Sequence, residues 1–186
     1  VIEKSKVKSS DIKGVGLSGQ MHGLVLLDKE NKLIRDSIIW CDQRTEKECE
    51  EITEKIGKER LIEITGNPAL TGFTLSKLLW VRNNEPENYK KINKVLLPKD
   101  YIRFKLTGVF ATEVSDASGM QMLDINTRDW SDELLKCLGI DKSLLADVYE
   151  SVVVSGHVHE EASMLTSLQE GTPVVGGAGD QAAGAI

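Results

Sequence analysis

Apolar positions in the first forty residues fall in short runs, not helical stripes. Gly14-Val15-Gly16-Leu17-Ser18 and Gly23-Leu24-Val25-Leu26-Leu27 flank the polar break Gly19-Gln20-Met21-His22, which predicts two adjacent strands joined by a turn or bend. Asp28-Lys29-Glu30-Asn31-Lys32 reads as a solvent-facing turn and residues 33–40 as a third strand, so this opening is expected to be a small meander. The period then changes. Over residues 44–57 charges surround Cys49, Ile52 and Ile56, spaced by three and four and stopped by Gly57, which describes a surface helix. Residues 74–83 predict a second helix, with Thr74 as its cap and Leu75, Leu78, Leu79 and Val81 on its buried side. Val95-Leu96-Leu97 forms a short apolar run before Pro98, and residues 100–106 make a helical turn or two closed by Gly108. Helices recur at 132–138 and 160–168, and Pro173-Val174-Val175-Gly176 is a buried strand. Strands alternating with helices argue an α/β domain.

Composition narrows the classes. The 186 residues include 29 acidic and 23 basic side chains, a net charge of -6, which suits one domain or most of one and offers nothing to attract nucleic acid or an anionic membrane. The longest apolar runs fall far short of the roughly 20 residues that span a bilayer. Cys41, Cys49 and Cys137 show no C-x-x-C spacing and no glycosylation sequon occurs, so a reducing, cytoplasmic setting is expected. The polar start at Val1 and the small-residue end at 182–186 both read as cut, which predicts a piece of a longer protein. Strands deprived of sheet neighbours would expose an edge, so self-association as a homodimer is a further expectation.

Three segments could hold chemistry. Gly19-Gln20-Met21-His22-Gly23 sits where one strand breaks before the next, a position rigidly flanked yet exposed. There His22 either bonds a ligand hydroxyl or satisfies a nearby carbonyl while Met21 fills the core. In Trp40-Cys41-Asp42-Gln43-Arg44 a strand runs into a helix start. An aromatic plane beside a carboxylate and a guanidinium suits a polyhydroxylated ligand, and the alternative is a helix terminus capped by Asp42. In Gly176-Gly177-Ala178-Gly179-Asp180-Gln181 a buried strand feeds a glycine turn that lets ligand atoms approach the backbone, and Asp180 stands where a helix begins, as a general base or a plain N-cap. The run matches neither a dinucleotide nor a Walker fingerprint. His157-x-His159 would place two imidazoles on one strand face but lacks a third ligand, so no metal site is expected. Ser115-Asp116-Ala117-Ser118-Gly119 reads as a turn with a hydroxyl-binding role.

Together these segments resemble the FGGY family of carbohydrate kinases. Leu17-Ser18-Gly19-Gln20-Met21-His22-Gly23 is similar to the sugar-contacting segment of the family's xylulose-phosphorylating branch. Gly72-Phe73-Thr74-Leu75-Ser76-Lys77-Leu78-Leu79-Trp80-Val81-Arg82-Asn83-Asn84 is similar to its internal signature, with the Lys-hydrophobic-x-Trp core intact. Gly177-Ala178-Gly179-Asp180-Gln181-Ala182-Ala183-Gly184 resembles the segment of the catalytic aspartate, and Ser115-Asp116-Ala117-Ser118-Gly119 and Arg128-Asp129-Trp130-Ser131 also fit. The resemblance implies an actin-like, ribonuclease H-like α/β fold, a mixed sheet with flanking helices lacking its first strands, residues 1–186 being most of the N-terminal sugar-binding domain. It implies ATP-dependent phosphorylation of D-xylulose to D-xylulose 5-phosphate with magnesium on the ATP, the sugar and ATP being the partners. By residue, it makes Asp180 the catalytic base, Met21 and His22 the sugar-binding pair and Trp40 an aromatic lining the sugar site. Asp42 and Arg44 help to orient the sugar, and Gln181 stands where some relatives have Asn. Relatives open with a phosphate-loop hairpin and bind adenosine in a second, C-terminal domain. Neither is recognisable here, so the piece alone is expected to be inactive. Kinases for gluconate, fuculose or glycerol, or a non-catalytic sugar-binding module, are the alternatives.

Overall fold

The computed structural model describes residues 2–186, and of Glu3 the backbone only; the chain start at Val1 lies outside the described residues. Helices are α1 (Ile2–Ser5), α2 (Glu46–Ile56), α3 (Lys58–Thr65), α4 (Thr74–Asn84), α5 (Pro86–Tyr89), α6 (Pro98–Thr107), α7 (Val114–Ser118), α8 (Asp132–Leu138), α9 (Glu160–Thr166) and α10 (Asp180–Gly184). Strands are β1 (Ser18–Gly19), β2 (Val25–Leu27), β3 (Lys94–Leu96), β4 (Ala111–Glu113), β5 (Leu123–Asp124), β6 (Asp129–Trp130), β7 (Asp147–Tyr149), β8 (Val154–His157), β9 (Pro173–Val175) and β10 (Ala178–Gly179).

Helix α2 buries one face, whereas α4 is buried almost all round, residues 74–79 being shielded in succession. Along α4, Leu75, Leu78, Leu79 and Val81 are all fully buried, and they meet Ile52 of α2, Leu61 of α3 and Leu134 of α8 in the main core. Gly57, Gly66, Gly108 and Gly139 end α2, α3, α6 and α8, the last three in the left-handed conformation that L-residues resist. Thr74 is the first residue of α4, not its cap; Phe73 holds that place.

The opening meander is only partly formed. The first two apolar runs do not pair with each other. Leu24, just before β2, bridges Ile38, Leu27 of β2 bridges Leu33, and β2 forms an antiparallel ladder with β3, whereas the first run goes elsewhere: Val15 bridges Val174 of β9, and β1 lies parallel to β10 in the register Ser18↔Ala178 and Gly19↔Gly179. The other ladders are β4 with β7, parallel, and β5 with β6 and β8 with β9, antiparallel. The fold is thus mixed α/β. Residues 115–119, expected to be a turn, lie mostly in α7, because Glu113 caps it by accepting from the amides of Ser115 and Asp116. His157 ends β8 while His159 caps α9, so the two rings do not share a strand face. Apolar side chains left in solvent include Val152, Met164 and Leu165.

Two glycines separate backbone strain from crowding. Gly171 and Gly177 have φ of 81° and 74°, but a Cβ at Gly171 would meet nothing within 4 Å, whereas one at Gly177 would overlap the carbonyl oxygen of Leu17. Gly171→Ala is expected to lower stability by about 1 kcal/mol through conformation alone, and Gly177→Ala by at least about 2. Urea midpoints decide: equal losses would mean that the first strand does not seat on Gly177.

Candidate active site

Because β1 and β10 are parallel neighbours, the residues leaving their C-terminal ends emerge side by side. Those residues are Met21 and His22 after β1 and Asp180 and Gln181 after β10. With Trp40 they line a cleft of about 350 Å³, a size suited to a small molecule, at the strand ends where α/β sheets hold ligands.

His22 satisfies a nearby carbonyl, one of the two roles the sequence left open. Its Nδ1 lies 2.8 Å from the carbonyl oxygen of Gly119. A carbonyl only accepts, so Nδ1 has the proton and Nε2 presents a lone pair. Among the described residues Nε2 has no partner, and the ring tilts at 42° against Phe73, centroids 4.2 Å apart. Burial lowers the His22 pKa; the Gly119 bond opposes this, Lys77 adds to it, and Asp180 opposes it. The ring is therefore mainly neutral at pH 7, with Nε2 able to accept a hydrogen bond.

The backbone at His22 is left-handed, with φ 66°, and a buried amine holds it there. Lys77 Nζ donates to the carbonyls of His22 at 2.8 Å and Gly72 at 2.6 Å, with no carboxylate at salt-bridge distance among the described residues. Burial brings its pKa down to about 8, against the pull of Asp42 and Cys41. Sequence reading had left Lys77 without a role beyond the signature; its only linear signal is a charge among Leu75, Leu78 and Leu79 on α4.

Asp180 opens α10 and is exposed, its Oδ1 accepting from the Gln181 amide at 2.9 Å. Gly179, not Asp180, is the N-cap. The glycines before it serve the protein's own packing. A Cβ on Gly176 would stand 2.7 Å from the Glu150 oxygen, and one on Gly179 2.8 Å from Met21 Cγ. Beneath this loop lies a buried cluster the sequence did not reveal. Lys99 Nζ is 3.0 Å from Asp100 Oδ1, 3.6 Å from Glu113 Oε1 and 3.6 Å from Asp116 Oδ2, and Arg103 Nη1 is 2.9 Å from Asp100 Oδ1. Lys99 and Arg103 both donate to the Gly176 carbonyl. Burial pushes Asp116 up to about 8 against the attraction of Lys99, with Asp100 and Glu113 raising it further.

Trp40 stands at the rim, 58% exposed. Asp42 and Arg44 do not line the cleft. They pair with each other at 2.7 Å, and Arg44 lies over Trp80, 4.6 Å from its centroid. Asp42 caps no helix, since α2 begins after Thr45. No helix among the described residues is long and apolar enough to cross a membrane.

The cleft sets an imidazole, a carboxylate and an aromatic edge around one small volume, groups whose chemistry is compatible with hydroxyl-bearing small molecules. The model of the FGGY family of carbohydrate kinases, N-terminal domain, matches residues 1–186. The chain is 44% identical over 186 residues to a xylulose kinase of Bacillus subtilis and 42% identical over 176 residues to one of Escherichia coli. These alignments cover 100% and 95% of this chain, and 37% and 36% of those proteins. The solved xylulose kinase from Rhodospirillum rubrum superposes with a TM-score of 0.89 at 30% identity, over 93% of this chain and 36% of that one. The chain belongs to the FGGY family of carbohydrate kinases, with their actin-like fold, and spans a little over a third of the length of these curated relatives.

The sign of the His22 shift can be tested. A folded pKa below the unfolded 6.5 means that between the two values the unfolded chain binds the extra proton, so stability present above pH 6.5 is lost as pH falls from there through the lower folded value. The His22 ring is expected to titrate below 6.5 by NMR. His22→Asn keeps a donor at the Nδ1 position and tolerates the left-handed backbone, and should flatten the acid-side fall in thermal stability. A midpoint at or above 6.5 overturns the neutral-acceptor assignment.

Proposed function

We propose that this chain forms most of the sugar-binding, N-terminal domain of an ATP-dependent kinase that converts D-xylulose to D-xylulose 5-phosphate. The observation that supports it is the shared cleft of His22 and Asp180, reached from opposite ends of the sequence. In this reading Nε2 of His22 accepts from a sugar hydroxyl, Met21 and Trp40 cover C–H faces, and Gln181 bonds a further hydroxyl. The Asp180 carboxylate accepts from the terminal hydroxyl and takes its proton as that oxygen bonds the γ-phosphorus and the bond to the bridging oxygen breaks. Positioning supplies much of the acceleration, since phosphoryl transfer leaves little covalent work to the protein. Asp42 and Arg44, paired with each other and with Arg44 over Trp80, are assigned no contact with the sugar.

Magnesium would neutralise charge on the ATP phosphates. Among the described residues no three His, Cys, Asp or Glu side chains stand together to hold a metal, so no step is assigned to this chain through the ion. The reading places nucleotide recognition outside residues 1–186, so no turnover is expected from residues 1–186 by themselves.

In the complete kinase, Asp180→Asn is expected to lower kcat by roughly 100-fold or more with the sugar KM changed less than about threefold. Retained turnover would point to a sugar-binding module without a base. A panel of D-xylulose, gluconate, L-fuculose and glycerol tests the acceptor, and residues 1–186 alone with ATP and magnesium should stay at the blank rate.

A further inference from the structure

The short helix α7 touches both halves of the cleft. At its C-terminal end the Gly119 carbonyl accepts from His22. At its N-terminal end the hydroxyl of Ser115 accepts from the backbone amide of Gly179 at 3.2 Å, one residue before Asp180. That hydroxyl has a single proton, and it goes to Glu113 Oε1 at 2.8 Å. Glu113 is in turn immobilised: it also accepts from the amides of Ser115 and Asp116, at 2.8 and 2.9 Å, and from the Ser151 hydroxyl at 2.8 Å, with no exposed surface. The Ser115 lone pair is thus oriented toward the peptide that launches α10, and its proton is not free for a sugar.

We infer that α7 is the bracket that sets the separation of His22 and Asp180, and that Ser115 is a positioning residue for the Asp180 carboxylate. The inference rests on the reading of Asp180 as the base. Gly179 has no side chain to anchor it; Met21 fills the space where its Cβ would stand and Gly19 pairs with it in the ladder, and the Ser115 hydroxyl is the side-chain acceptor for its amide. Releasing it lets the carboxylate drift relative to a sugar still held by His22, and displacements of about 1 Å can cost 100-fold in rate.

The test is a double-mutant cycle in the complete kinase with D-xylulose and ATP. Ser115→Ala is expected to lower kcat about 10- to 100-fold with the sugar KM within about threefold, and Ser115→Thr, which keeps the hydroxyl, to return most of it. In an Asp180→Asn background Ser115→Ala should have no further effect, because a residue acting only through Asp180 has nothing left to position. A risen KM with kcat intact would make Ser115 a sugar ligand, and a lowered melting temperature with kcat of the folded enzyme unchanged would make it merely structural; either result overturns the inference. Full activity in Asp180→Asn alone would overturn the base assignment itself, and the inference with it, whereas a dead Asp180→Asn beside a fully active Ser115→Ala defeats the bracket only.

Discussion

The site exists because two very short strands from opposite ends of the chain lie parallel and close. Ala178 donates to the Leu17 carbonyl at 3.0 Å, and Gly177 tolerates Leu17 only because it lacks a side chain. Gly19 meets Lys99 with the same economy, a Cβ there falling 3.1 Å from the lysine's own Cβ. A two-residue ladder is worth little by itself. Its precision comes from what surrounds it: Met21 against Gly179, α7 on one side and the ion cluster of α6 underneath. Glycine in these segments is a demand of backbone packing, and the ligand cleft follows from that packing.

What the sequence showed and what it hid divide along the range of the interactions. Helices α2, α4, α6, α8 and α9 were legible because their apolar spacing and their glycine or proline stops are local. Strands of two or three residues carry almost no periodicity, and β1 could not announce a partner at β10. Helix α7 looked like a turn because Ser, Asp and Gly favour turns; the buried cap from Glu113 overrides that preference. In the cleft, Met21, His22, Trp40, Asp180 and Gln181 were readable from motif and spacing. Lys77, Lys99, Arg103 and Glu113 were not, since a charged residue in sequence reads as solvent-facing until its burial is seen. The sequence also put Asp42 and Arg44 on the ligand, and the structure turns them toward each other and Trp80.

The buried cations make the signature residue Lys77 intelligible. A non-glycine residue in the left-handed region is strained, and His22 is kept there by an amine that binds its carbonyl and that of Gly72 together. No neutral side chain of that length brings so strong a donor to two carbonyls at once. The same amine, being positive, also helps to keep the His22 ring unprotonated. One group therefore holds the backbone that carries the imidazole and adds to the lowering of its pKa that burial causes first.

The cluster below the Asp180 loop follows the same logic with more members. Lys99 and Arg103 are fully buried among Asp100, Glu113 and Asp116, an arrangement that for stability alone an apolar cluster of similar volume could equal or better. Two cations balance two carboxylates, and the third, Asp116, is left to hold its proton near neutrality. Apolar packing could fill this space, but it could not donate to the Gly176 carbonyl from two directions, nor fasten Glu113, on which Ser115 depends. The burial of charge is therefore explained by placement: the two cations that balance two carboxylates in the interior also fasten the Gly176 carbonyl in the loop before Asp180.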